Sequence, residues 1–269
     1  MKDFPARPCL ILFLAFGMLV IGCQPTVSPT SLPDLAYHFI WVGDDSLATG
    51  PLDLQTQLLL EAGNYPNQLQ MKTVLDPRNL LSFQPAEDSL SDLSVEKQHQ
   101  FVILQMFGIT KPESDQEYFG SANAWIVQIE SKQGVPLLLY PWYSMVDNSQ
   151  TRTQIDALVH QFAWKSKAVL IPVGPAWEKV REDHPQLQLY ASDGMHPSAE
   201  GVYLSACVIY ASLTGESPVG LPIYTSVSYD SPQDIVTLNR DSVLLLQQVA
   251  WDVIQDYQQK GEFQVILPK

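Results

Sequence analysis

The sequence predicts an α/β domain: a three-layer α/β/α sandwich around a five-stranded, mainly parallel sheet. Three observations carry that prediction. Five short apolar runs, each six or seven residues long, recur from Tyr37 onward. Segments with helical spacing separate most of them. The chain has 269 residues, 46% hydrophobic and 16% charged, enough to bury one substantial core.

The runs are Tyr37–Val42, Leu69–Leu75, Phe101–Met106, Val135–Tyr140 and Ala168–Val173. They are rich in Val, Ile, Leu and aromatics, as expected of strands covered on both faces. Leu52–Ala62, Tyr118–Ser131, Thr153–Ala163 and Trp177–Arg181 have helical spacing. Strand–helix alternation means parallel strands joined by crossover helices. Ser198–Leu213 reads as the next helix, with Ser198 as N-cap and Gly215 just past its end. Leu81–Gln100, carrying Glu87, Asp88, Asp92 and Glu96, reads as a surface excursion. Residues 216–240, rich in Pro and Ser, read as irregular. Asp241–Gln258 then reads as a helix with Val243, Leu246, Val249, Ala250, Val253 and Ile254 on one stripe. There are no internal repeats.

The amino terminus sets the expected compartment. Lys2 and Arg7 precede an apolar stretch, Leu10–Ile21, that ends in Gly22-Cys23. Twelve residues at about 1.5 Å each fall short of a ~30 Å hydrocarbon core, so a permanent spanning helix is not expected. Residues 1–22 read as a signal peptide whose end resembles a bacterial lipobox. Cys23 is the expected lipidation site, and the protein is then exported and lipid-anchored to a bacterial membrane. Residues 23–36 form a tether, and 37–269 the domain. The net charge of −14 argues against nucleic-acid partners, whose phosphates need Lys and Arg. Of three cysteines, Cys207 sits in an apolar helical segment and is expected as core filler. His38, His99, His160 and His184 form no metal-ligand pattern, so no metal is expected.

Functional groups in such sheets gather at the carboxyl ends of the strands. Two short sequences fall there. Val42-Gly43-Asp44-Asp45-Ser46-Leu47-Ala48-Thr49-Gly50 follows the first strand, and Ser192-Asp193-Gly194-Met195-His196-Pro197 precedes the Ser198 helix. A serine at a strand-to-helix turn presents its hydroxyl to solvent, with its own N–H turned to a substrate carbonyl oxygen. A histidine from a converging loop can take the hydroxyl proton. An aspartate three residues earlier can fix the imidazole tautomer and offset its developing charge. Trp177 is expected in the core. Trp142 and Tyr143, after the fourth strand, either line a sugar or acyl pocket or pack at the strand end.

These residues resemble the SGNH (GDSL-type) hydrolases, whose fold is flavodoxin-like. Asp45-Ser46-Leu47 with Gly50 is similar to the family's nucleophile block, and Asp193-x-x-His196 with Pro197 to its Asp/His block. The resemblance covers about residues 37–258 and is most specific over 170–221. It implies a serine esterase acting through an acyl-enzyme without a cofactor, on a small-molecule or glycan ester. Ser46 is then the nucleophile, His196 the acid–base group and Asp193 its orienting partner. Asp45 and Trp142 are candidates for lining the substrate. Ser46, Gln105 and Gly108 are the candidate oxyanion donors. The chain departs from the family pattern at Asp44, where the family has glycine, and a shifted register puts Asp45 in the serine's place. Thr73-Val74-Leu75-Asp76-Pro77-Arg78-Asn79 also lacks the glycine donor of the second block, and Pro77 has no N–H. A catalytically degenerate envelope protein that binds glycan or protein is the alternative.

Overall fold

The computed structural model describes residues 37–43, 52–65, 69–75, 90, 100–105, 115–140, 142–228, 230–262 and 265–267. All fall within one unit, Asp34–Lys269. The strands are β1 (Tyr37–Gly43), β2 (Leu69–Leu75), β3 (Gln100–Gln105), β4 (Val135–Tyr140), β5 (Val169–Pro172), β6 (Thr225–Ser228) and β7 (Ser231–Thr237). The helices are α1 (Leu52–Ala62), α2 (Asp115–Ser131), α3 (Ser149–Ser166), α4 (Val173–Asp183), α5 (Ala199–Thr214) and α6 (Arg240–Lys260). The first five strands form a five-stranded sheet in the order β2-β1-β3-β4-β5, and every pairing in it is parallel. The α/β class and the five strands are as the sequence predicts.

Burial explains why the strands read as continuous apolar runs. All six residues of β3 are buried, and so are the last five of β4. Side chains on both faces of these strands meet helices, so no polar alternation is left. Helix α1 packs on α5, α2 packs on α3, and α6 lies against α5 and α4. Helix α5 is buried nearly all round: every residue but Glu200 is inside. Cys207 sits there, and burial pushes its thiol pKa up, which suits a core filler rather than a reactive group.

The ends of α5 are those the sequence specifies. Ser198 Oγ accepts from the Gly201 N–H at 3.2 Å and donates to the Gln188 carbonyl. Gly215 closes the helix at φ +69, and its N–H donates to the Ala211 carbonyl. Near the other end, a Cβ on Gly201 would stand 2.2 Å from the Leu189 carbonyl oxygen. Only glycine lets the helix approach the incoming loop so closely.

Two expectations need correction. Helix α4 starts at Val173, directly after β5, rather than at Trp177. Gly174-Pro175 suggests a break, but a proline in a first turn sacrifices no intrahelical hydrogen bond. Residues 216–240 are not wholly irregular: β6 and β7 form an antiparallel hairpin with a register shift between Val227 and Ser228. Its strands carry mostly Ser, Thr and Pro in place of an apolar alternation. The hairpin depends on tertiary contact, with β6 packed on α5, Ser226 buried and the Leu238 N–H bonded to the Tyr224 carbonyl at 2.7 Å.

Candidate active site

The loop from Tyr190 to Pro197 is closed on itself. Tyr190 and Pro197 form an isolated antiparallel bridge, and the Ala191 N–H donates to the His196 carbonyl at 2.9 Å. Gly194, at φ +70, makes the turn that brings its N–H to the Ala191 carbonyl at 3.1 Å. Asp193 and His196 therefore face each other across a tight turn.

Their contact is direct. His196 Nδ1 lies 2.5 Å from Asp193 Oδ2, while Asp193 Oδ1 accepts from the Met195 and His196 amides at 2.9 Å each. Burial raises the Asp193 carboxyl pKa, but the hydrogen bonds from the imidazole and the two amides outweigh it and hold the group below the usual carboxylate range. The carboxylate thus stays ionised and can only accept, which puts the ring proton on Nδ1 and the lone pair on Nε2. The His196 side chain is 15% exposed and that of Asp193 36%, so the pair sits at a rim.

The chain after β4 braces this loop. Trp142 Nε1–H donates to the Met195 carbonyl at 2.8 Å, the Met145 N–H to the Gly194 carbonyl at 3.0 Å, and the Tyr190 hydroxyl to the Tyr143 carbonyl at 2.8 Å. These bonds fix Asp193 and His196 beside the carboxyl end of β4. Trp142, at 5% exposed, packs at the strand end, the second of its two expected roles. Its ring stacks on Trp177 with centroids 4.6 Å apart, and Trp177 in turn meets Tyr190 edge-on. Trp177 is in the core, as expected.

Gln105 is the last residue of β3, paired in register with Leu139, and is buried. Ser46, Asp45, Gly108 and Cys23 lie outside the described residues; in sequence Ser46 falls between β1 and α1. No cluster of three or more His, Cys, Asp or Glu placed to hold a metal ion occurs among the described residues. One contact has no signal in the sequence. Asp230, at the hairpin turn, accepts from the Ser192 N–H at 3.1 Å and from the Ser192 hydroxyl at 2.9 Å.

Comparison with known families and with curated proteins finds no match. Solved structures do match. A DUF4886 family protein from Bacteroides uniformis aligns at a TM-score of 0.59 and 13% identity, over 82% of this chain and 95% of its own. A protein of Slackia heliotrinireducens assigned to the SGNH hydrolases aligns at 0.51 and 17% identity, over 65% and 97%. The acetyl xylan esterase AlAXEase aligns at 0.51 and 14% identity, over 65% and 99%. At these identities the likeness is one of fold, and the chain has the SGNH-hydrolase fold.

Proposed function

We propose that this protein is a serine ester hydrolase that works through an acyl-enzyme. The observation that carries the reading is the Asp193–His196 pair, held at the carboxyl edge of the sheet with its carboxylate on Nδ1. Ser46 Oγ attacks the ester carbonyl carbon as His196 Nε2 takes the hydroxyl proton. Asp193 stabilises the imidazolium that forms. The tetrahedral intermediate collapses, the C–O bond to the alcohol breaks, and His196 returns the proton to the departing oxygen. Water, deprotonated by the same nitrogen, then releases the acid and regenerates Ser46. The Ser46 N–H is the first oxyanion donor, with Gln105 and Gly108 as the candidates for the others.

Two features bear on the substrate. Met145, Val146 and Met195 are exposed on or beside the histidine loop and give its surroundings an apolar character suited to an acyl group. One fold relative is named as an acetyl xylan esterase, so glycan-borne acetyl esters are the first natural substrates to try. The −14 charge disfavours polyanions. Lipidation at Cys23 would hold the enzyme at a bacterial membrane; labelled palmitate should enter the wild-type chain and not Cys23→Ser.

The test is hydrolysis of p-nitrophenyl acetate, butyrate and octanoate by wild type, Ser46→Ala and His196→Asn, with fluorophosphonate labelling alongside. Turnover and labelling confined to wild type are expected. Equal rates in wild type and Ser46→Ala remove that serine from the reaction. Asp44 in the family's glycine position favours the second reading, a degenerate binding protein. No turnover and no labelling of wild type at any acyl length would favour it.

A further inference from the structure

The histidine loop is supported from three sides. The segment after β4 holds it through Trp142 and Met145, and α5 presses on its entry, where Gly201 meets the Leu189 carbonyl. The third support comes from the β6–β7 hairpin, 38 residues further along the chain. There both oxygens of one carboxylate, Asp230, take both donors of Ser192, its N–H at 3.1 Å and its hydroxyl at 2.9 Å. Two parallel bonds to an ionised acceptor fix orientation as well as distance. Asp230 is itself held, because its own N–H donates to Ser228 Oγ at 3.2 Å within the turn.

The position of Ser192 gives this contact its consequence. Ser192 is the residue directly before Asp193 and the one after Ala191, whose N–H reaches the His196 carbonyl. Anchoring its N–H fixes the Ala191–Ser192 peptide plane, and anchoring its hydroxyl fixes the side chain on the same Cα, so the Cα from which the backbone turns into Asp193 is held on two sides. Asp193 must then direct one oxygen to two amides and the other to Nδ1. A small rotation at Ser192 would break that division. Misplacement of about 1 Å in such a group can cost about 10²-fold in rate.

We propose that Asp230 is a positioning residue: the hairpin latches Ser192 so that Asp193 holds His196 in the Nδ1–H tautomer. The latch rests on the proposed hydrolase reading only for its use in turnover; its geometric claim stands independently. The Asp230 carboxylate meets Ser192 and acts through Ser192 and Asp193.

The test uses the full-length chain in detergent micelles, with histidine labelled in 15N and His196→Asn to assign the resonance. Wild type should show the Nδ1–H tautomer of His196, and Asp230→Ala should lose part of it, moving toward the spectrum of Asp193→Ala. Asp230→Asn, which can still accept from the Ser192 N–H and donate to its hydroxyl, should recover most of it. With p-nitrophenyl butyrate, kcat should fall about tenfold in Asp230→Ala while KM moves less than about twofold. A tautomer unchanged in Asp230→Ala overturns the latch, as does absence of the Nδ1–H form in wild type. A tautomer that shifts in a protein with no turnover keeps the latch and removes the hydrolase reading instead.

Discussion

Two aspartate–histidine pairs among the described residues, each three or four apart, are built differently. Asp193 and His196 are three apart in a loop; Asp156 and His160 are four apart on α3. In the loop the carboxylate itself meets the imidazole, at 2.5 Å. On the helix, His160 Nδ1 donates to the Asp156 backbone carbonyl at 2.9 Å, and Nε2 faces the Tyr257 hydroxyl at 3.1 Å. The Asp156 carboxyl accepts from the Tyr143 hydroxyl, which is 2.5 Å from that of Tyr140. Helical geometry brings a backbone carbonyl to the ring, whereas the Gly194 turn brings a charged oxygen to it. In the second arrangement the aspartate's own carboxylate accepts from Nδ1; on the helix that role falls to a neutral carbonyl, and the Glu262 carboxylate stands 3.9 Å from Nε2. Residue type and close spacing do not by themselves bring a carboxylate to an imidazole; the conformation between the two residues does.

The sharpest way to break this contrast is to remove each histidine. His196→Asn should lower kcat/KM for p-nitrophenyl butyrate about 10⁴-fold or more, while His160→Asn should stay within about threefold. A comparable loss from both would erase the distinction. Next in size, Asp193→Asn should cost about 10³-fold through the wrong tautomer, whereas Asp156→Asn should leave the rate almost untouched.

The two carboxyls should also give opposite responses of stability to pH. Burial raises the Asp156 pKa from 3.8 to about 6, only partly opposed by His160. The folded chain then holds that proton more tightly than the unfolded chain. Its contribution is whole below about pH 4, is lost as pH rises through about 6, and stays lost above that. The loss should be on the order of 1–2 kcal/mol once partial solvent screening is allowed for, and urea unfolding of Asp156→Asn should not show it. Asp193, with its pKa lowered, stabilises above the ordinary carboxylate pKa, and that stability goes as pH falls through its folded value. The smallest expected effect belongs to Trp142→Phe. Losing the Met195 bond while keeping the ring stack should cost about 1 kcal/mol in urea unfolding and a few-fold in kcat.

The sequence makes the sheet and the Asp/His loop readable because both are local in origin. Apolar runs such as Phe101–Leu104 announce a strand buried on both faces, and Asp193-Gly194-Met195-His196-Pro197 before the Ser198 cap announces a turn onto a helix. The hairpin was hidden because strands such as Thr225-Ser226-Val227-Ser228 have no apolar alternation and are held by packing on α5. Trp142 was readable as a strand-end aromatic, but not as a support for Met195, a partner 53 residues away. The Asp230–Ser192 contact joins two polar residues in separate loops, and no periodicity records such a meeting.

Helix α5 carries the histidine loop at its head and is buried along nearly its whole length. Its interior backbone amides should exchange with solvent deuterium at the rate that global unfolding sets. The slowest-exchanging amides of α5 therefore measure the stability of the entire fold.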